Sequence, residues 1–245
     1  LMVIGGGEPG AYAVRMLQPP PTDLTFTLPG SMAKPEDATT GSADMIADKA
    51  SGGGLIATAA GSRLEVVGTD GVVRLSVDLG TGIIGSLGHS AVRLQPGGRL
   101  VACVLATGKA GVAVLSVADG SEAFRIKCRS SGVWQIAWSP DGTLLAMTTS
   151  QGVEVRDAAR GGAEVRWLHE GVAVFSCAFD RTGSRLATGG AALNYVTVWD
   201  VATWERSYTL PKEKGLPTSY CFSPAGDRIA YAVVIGYGSD CDVAV

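Results

Sequence analysis

A segment of about 43 residues recurs along this chain, and a recurrence of that length constrains the architecture before any single element is assigned. VWQIAWSPDGTLLAMTTSQGVEVRD (Val133 to Asp157) is echoed by FSCAFDRTGSRLATGGAALNYVTVWD (Phe175 to Asp200) and by TSYCFSPAGDRIAYAVV (Thr218 to Val234). Fainter copies are VRLQPGGRLVACVLATGKAGVAVLSV and KASGGGLIATAAGSRLEVV. Taking the small or apolar residue after the turn as an anchor gives Val3, Ala57, Ala102, Ala146, Ala187 and Ala230, at steps of 54, 45, 44, 41 and 43 residues. Six units are represented in one domain spanning 1–245. The long first step places an insertion at 30–43 (GSMAKPEDATTGSA), which reads as a surface loop.

Within a unit the pattern is that of short strands. Trp134, Ile136 and Trp138 alternate with Gln135 between, and Val153 and Val155 flank Glu154, which is the period of a pleated strand. Pro140-Asp141-Gly142, Arg181-Thr182-Gly183, Pro224-Ala225-Gly226 and Pro96-Gly97-Gly98 read as hairpin turns, with Pro where φ is already fixed and Gly where φ must be positive. A third strand follows at 195–199 and a fourth at 205–210. The 34 glycines among 245 residues, about double ordinary usage, act as punctuation between many short elements. Four antiparallel strands per unit is the arithmetic of an all-β fold, a β-propeller with one blade per unit. The first unit begins in its second strand and the last stops in its third, so the terminal blades are expected to be incomplete. The chain then reads as part of a longer propeller whose open edges favour self-association.

On these residues the chain resembles the WD-repeat family, over nearly all of its length. Trp199-Asp200 closes a third strand, WSPDG (138–142) and FSPAG (222–226) carry the turns, and Gly88-His89 precedes an inner strand. His169 stands in the corresponding place before Phe179, and Asp157 stands at the Asp of the Trp-Asp pair. Departures are plain: one literal Trp-Asp, Arg156 and Leu115 in place of the Trp elsewhere, and two histidines for six units. The resemblance implies seven blades in the full propeller, inner hydrogen-bond networks that are incomplete in most blades, and structural roles for His89, Asp157, His169, Trp199 and Asp200.

The chemistry of most enzyme classes has no foothold. Twenty Lys+Arg against 23 Asp+Glu supply no basic field for a phosphate backbone, so nucleic acid is not an expected partner. The longest nearly apolar run, 229–237, is half what a membrane helix needs. GGGEPG (5–10) follows a strand but opens no helix and is not followed by Lys-Ser or Lys-Thr, so a β-turn loop is the better reading than a phosphate cradle. His89 and His169 lack neighbouring cysteines or paired carboxylates, which makes no metal inventory. Cys177 and Cys221, beside Phe179 and Phe222, read as small buried hydrophobes. Asp141, Asp157, Asp180 and Asp200 sit at turns and strand ends, where carboxylates cap backbone N–H groups. No catalytic residue, cofactor or metal is assigned, and the odd set of five cysteines with no export segment favours an intracellular, cytoplasmic setting.

What remains is surface. The family resemblance implies that loops joining second to third strands, and those joining blades, share one docking face. These loops hold Glu8, Tyr12, Lys109, Asn194, Tyr195, Tyr237 and Asp240, with Lys212, Glu213 and Lys214 between blades, and Tyr among small polar residues is a common interface composition. The expected function is a non-catalytic scaffold presenting that face to a protein or peptide. The alternatives are a propeller enzyme or small-ligand binder using the central channel, and a targeting module of a larger enzyme.

Overall fold

The structure is a computed structural model that describes residues 2–5, 12–15, 46–49, 54–83, 92–106, 111–130, 132–190, 195–210, 216–234 and 241–244. By its packing the chain divides into residues 1–41 and 42–245. The first unit holds one hairpin, β1 (Met2–Gly5) with β2 (Tyr12–Arg15), in which Val3 faces Val14. The insertion expected at 30–43 lies outside the described residues.

The second unit is a succession of antiparallel sheets, each wound in chain order from first strand to last. They are β3 (Ile46–Lys49), β4 (Leu55–Ala60), β5 (Arg63–Gly68) and β6 (Val73–Asp78); β7 (Val92–Leu94), β8 (Leu100–Leu105), β9 (Gly111–Ser116) and β10 (Glu122–Lys127); β11 (Val133–Trp138), β12 (Leu144–Thr149), β13 (Gly152–Asp157) and β14 (Ala163–Leu168); and β15 (Ser176–Phe179), β16 (Arg185–Gly189), β17 (Val196–Asp200) and β18 (Arg206–Thr209). A three-stranded sheet follows: β19 (Leu216–Phe222), β20 (Ile229–Val234) and β21 (Cys241–Ala244). The first strand of each sheet lies against the first strand of the next, from β3 through β7, β11 and β15 to β19. These are propeller blades arranged about their inner strands. Across each ladder the anchor alanine faces one valine: Ala57 with Val66, Ala102 with Val114, Ala146 with Val155 and Ala187 with Val198.

The core is a series of layers between blades. Val101, Cys103 and Leu105 point into the layer shared with the β3–β6 blade, whereas Ala102, Val104, Val112 and Val114 point into the layer shared with the β11–β14 blade. Two further layers join the β11–β14 blade to β15–β18 and that blade to β19–β21. Burial on both faces explains why middle strands such as LVACVL and GVAVLS are continuously apolar. Each fully buried Val or Leu contributes about 1.5–3 kcal/mol. The fourth strands are mostly exposed, and RSYT of β18 is exposed throughout.

One alternation read from sequence is broken. The ladder of β11 slips between Val133 and Gln135, placing a bulge at Trp134. Val133, Ile136 and Trp138 consequently share the core layer, Gln135 is buried, and Trp134 leaves that face to meet Phe175 edge-on, with ring centroids 4.5 Å apart. An extra residue in one strand reverses the facing of those before it. Among the described residues no helix is long and apolar enough to cross a membrane.

Candidate functional site

The hairpin turns between first and second strands show where the titratable side chains are spent. Gly142 (φ 72°) donates its N–H to Ser139 O at 2.8 Å, Ser139 Oγ donates to Asp141 at 2.5 Å, and Asp141 accepts the Thr143 N–H at 3.0 Å. Burial works against the Asp141 carboxylate, but hydrogen bonds from Ser139 and Thr143 outweigh it and hold its pKa below the usual range. Asp180 stands at the Ser139 place of its own turn and accepts the Arg185 N–H at 3.1 Å, as Ser139 Oγ accepts the Leu144 N–H at 2.8 Å. Asp157 accepts from Arg160 N at 3.1 Å, and Asp200 from Ala202 N and Thr203 N, each at 2.9 Å. The Thr203 N–H is the chief reason that Asp200 stays ionised to unusually low pH.

In the β15–β18 blade the polar centre is Thr188, the residue after the anchor Ala187. Its Oγ1 accepts the Trp199 indole N–H at 2.8 Å, lies 3.0 Å from His169 Nε2 and donates to Thr197 O at 3.4 Å. A hydroxyl has one proton and two lone pairs, so this set saturates it when His169 carries its proton on Nε2. The His169 ring stands edge-on to Trp199, at 5.1 Å and 82°. His169 takes φ 54°, a left-handed conformation that histidine tolerates better than most residues and that ends the connection from β14. Burial, aided by the Arg206 charge, lowers its pKa to about 4, which leaves the imidazole neutral at pH 7.

The β11–β14 blade meets the same need with charge. Met147 stands where Thr188 does, and Arg156 follows Val155 as Trp199 follows Val198. The Glu154 carboxylate is fully buried, pairs with Arg156 Nη2 and accepts the Arg129 N–H at 3.1 Å. Glu164 lies 3.5 Å from Arg156 and 2.9 Å from Arg129, whose guanidinium stacks 4.6 Å above Trp167. Arg156 Nε is buried without a hydrogen-bond partner. One blade back, Cys103 occupies the Thr188 place with only a weak Sγ contact to Ala113 O at 3.6 Å.

The loops assigned to the docking face come together where they are described. Ser150, between β12 and β13, bonds Ser130, between blades, at 2.6 Å. Gly171 N, in the next inter-blade connection, donates to Gln151 O at 2.9 Å. Gln151 and Glu170 are exposed on this rim. Tyr195 is half-buried and packs against the layer between the β11–β14 and β15–β18 blades, so its ring is partly structural. Tyr12 begins a strand, opposite Gly5, where a loop position was expected. Glu8, His89, Lys109, Asn194, Lys212, Glu213, Lys214, Tyr237 and Asp240 lie outside the described residues.

Cysteine burial divides. Cys103, Cys128 and Cys177 are buried and free, and burial pushes each thiol up to about 12, so none is a nucleophile at neutral pH. Cys221 is exposed, against the expectation of a buried hydrophobe, because the ladder of β19 with β20 slips between Thr218 and Cys221. Among the described residues no group of three or more metal-ligating side chains converges. Sequence reading missed Thr188, Glu154 and Arg156 as parts of one network. A Thr directly after the anchor in the unit that also holds His and Trp was the available signal for the first, whereas nothing in Glu-Val-Arg announced burial.

The blades and their anchor pairing define an all-β propeller. The family model "WD domain, G-beta repeat" matches residues 120–152, which span β10, β11 and β12 and so run from the outer strand of one blade into the next. The fold of the chain is that of a β-propeller, and one stretch of it matches a WD-repeat model. Among solved structures it is similar to a chain in "Crystal Structure of Mitotic Checkpoint Complex", with a TM-score of 0.63 and 17% identity over 77% of this chain. It spans 58% of that chain's length, and at that identity the likeness is one of fold. No curated protein matches.

Proposed function

We propose that this chain is a non-catalytic interaction scaffold that holds a protein or peptide on the rim formed by its second-to-third-strand loops and inter-blade connections. The observation that carries this reading is the joining of those loops, Ser130 to Ser150 and Gln151 to Gly171, into one continuous surface on rigid blades. The fold is one generally used for protein interaction, and the similar solved chain comes from a multi-protein complex. In further support, the titratable groups that sequence offered as chemistry serve the fold: His169 is neutral and bonded, and the turn carboxylates hold backbone N–H groups. Loops on a rigid frame carry recognition disproportionately.

The test is affinity capture with the immobilised chain. Combined Gln151→Ala, Glu170→Ala and Tyr195→Ala substitution is expected to release specifically bound proteins, while Arg181→Glu, at the opposite hairpin-turn end, retains them. Retention of every specific partner by the triple variant would remove the proposed face.

A further inference from the structure

Two aromatic rings at the rim lie outside the apolar layers of the core. Trp134, the second residue of β11, and Phe175, the residue before β15, stand where the inter-blade connections enter the inner strands. The bulge in β11 turns the Trp134 ring out of the core layer and onto Phe175, and neither ring packs into any of the four layers. Both residues are half-buried. Thr149 ties them to the docking rim: it faces Val133 across the ladder, its O accepts the Val174 N–H at 3.0 Å, and its Oγ1 accepts the Gln151 N–H at 3.1 Å. Bulges are over-represented beside functional sites, where they re-aim a side chain.

The pair has the chemistry of an unused contact surface. Trp138, Trp167 and Trp199 each spend the indole N–H inside the chain, on Arg93 O, Gln151 O and Thr188 Oγ1 in turn. The Trp134 N–H bonds none of the described residues and is not buried, so it is open to an outside acceptor. Gly132 leaves room beside it, since a Cβ there would lie 3.8 Å from Trp134 Nε1. An aromatic body with a free donor is the kind of side chain on which interfaces concentrate their binding energy. Charge lies on the same rim. Arg129 is paired with Glu164, whereas the exposed Glu170 pairs with no cation among the described residues. Glu170 precedes Phe175 by five residues, which places the two within about 18 Å of each other, and the adjoining Gly171 is bonded to the same Gln151 loop.

We propose that this rim binds an extended peptide segment in which a bulky apolar side chain and a basic one lie a few residues apart. The apolar side chain packs on Trp134 and Phe175, a backbone carbonyl beside it accepts the Trp134 N–H, and the basic side chain meets Glu170. An uncompensated carboxylate selects a cationic partner over an anionic one, and a short extended segment is long enough to reach both anchors. This assignment rests on the docking reading and gives that face a partner of stated chemistry.

The probes are short peptides with blocked ends: one with Lys second and Phe fifth, one with Glu in place of that Lys, and one with Ala in place of that Phe. Each is titrated by NMR into the isotopically labelled 245-residue chain. The Lys and Phe peptide is expected to bind saturably and to shift the Trp134 indole N–H resonance. It is expected to bind about five-fold more tightly than the Glu peptide and roughly ten-fold more tightly than the Ala peptide, with added salt erasing only the first preference. Glu170→Lys is expected to reverse the preference for Lys over Glu, and Trp134→Phe to weaken the Lys and Phe peptide about three-fold. Gly132→Ile, whose side chain extends toward the indole N–H, is expected to block it. Equal affinity for the Lys and Glu peptides at low salt, no saturable binding, or shifts confined to residues away from the rim would each overturn the proposal. Should Trp134→Phe fail to fold, the peptide comparison in the native chain and the Glu170→Lys variant decide the matter. Absence of peptide binding while the triple rim variant still releases captured proteins overturns this assignment alone, whereas retention of every partner by that variant removes the face on which it rests.

Discussion

The β15–β18 and β11–β14 blades have the same ladder and the same anchor pairing, yet they hold their centres together by different means. One uses a neutral network: His169, Thr188 and Trp199 share a hydroxyl whose donors and acceptors balance. The other buries a carboxylate and a guanidinium, Glu154 with Arg156, and leaves Arg156 Nε unpartnered. A saturated neutral network contributes without a desolvation debt, whereas a buried ion pair gains Coulomb energy only after two charges have left water. Each blade still leaves one buried polar atom without a partner among the described residues, Thr197 Oγ1 in the first and Arg156 Nε in the second, so a filled blade centre tolerates either chemistry and an imperfect balance.

The largest expected effect breaks the ion pair. Arg156→Met leaves the Glu154 carboxylate buried and unpaired, and it is expected to lower unfolding free energy by about 3–5 kcal/mol in urea denaturation. The double variant Glu154→Leu/Arg156→Met removes both charges and is expected to recover most of that loss. A double variant as unstable as the single one would mean that the pair itself, and not the uncompensated charge, stabilises the blade.

Next comes the neutral network. Thr188→Val keeps shape but deprives both the Trp199 and His169 N–H groups of their acceptor, an expected loss of about 2–3 kcal/mol by the same denaturation. Trp199→Phe removes one donor and is expected to cost less.

The two blades also separate by pH. His169 has a folded pKa lowered to about 4 from an ordinary 6.5, so between those values the unfolded chain binds more protons than the folded one. Its contribution is whole above pH 6.5, falls as pH drops toward 4 and is then lost. The expected change is about 2–3 kcal/mol over that window. His169→Gln is expected to flatten this part of the stability profile, and an unchanged profile would show that the imidazole is not neutral in the folded blade. The turn carboxylates, whose pKa values are lowered, lose their contribution at more acidic pH.

The smallest effect sharpens the same point. Arg206 lies 5.9 Å from the Trp199 ring centroid, and its charge helps keep His169 neutral. Arg206→Ala is expected to cost under about 1 kcal/mol and to raise the His169 pKa measured by NMR titration. A pKa that stays put would assign the shift to burial alone.

Much of this architecture is legible in the amino acids because repetition makes local signals reinforce one another. A Gly in the turn, a small anchor after it and a valine some ten residues on recur with the same meaning, and the ladder pairs those same anchors and valines. The bulge at Trp134 was not legible, because an inserted residue changes the facing of its neighbours without changing composition. Nor was the exposure of Cys221, which follows a slip in β19 pairing. The docking residues were chosen from loop length and tyrosine content, and Tyr195 shows the weakness of that choice: a tyrosine beside a loop can be packing material.

The sequence by itself determined the strand count per unit, the turns and the face each anchor presents, because these depend on neighbours a few residues away in a repeated pattern. Tertiary structure alone decided which polar side chains meet: Glu164 with Arg129, and Thr188 with His169. Those partners lie a strand, a loop or a blade apart, and only the stacking of one sheet on the next brings them into contact.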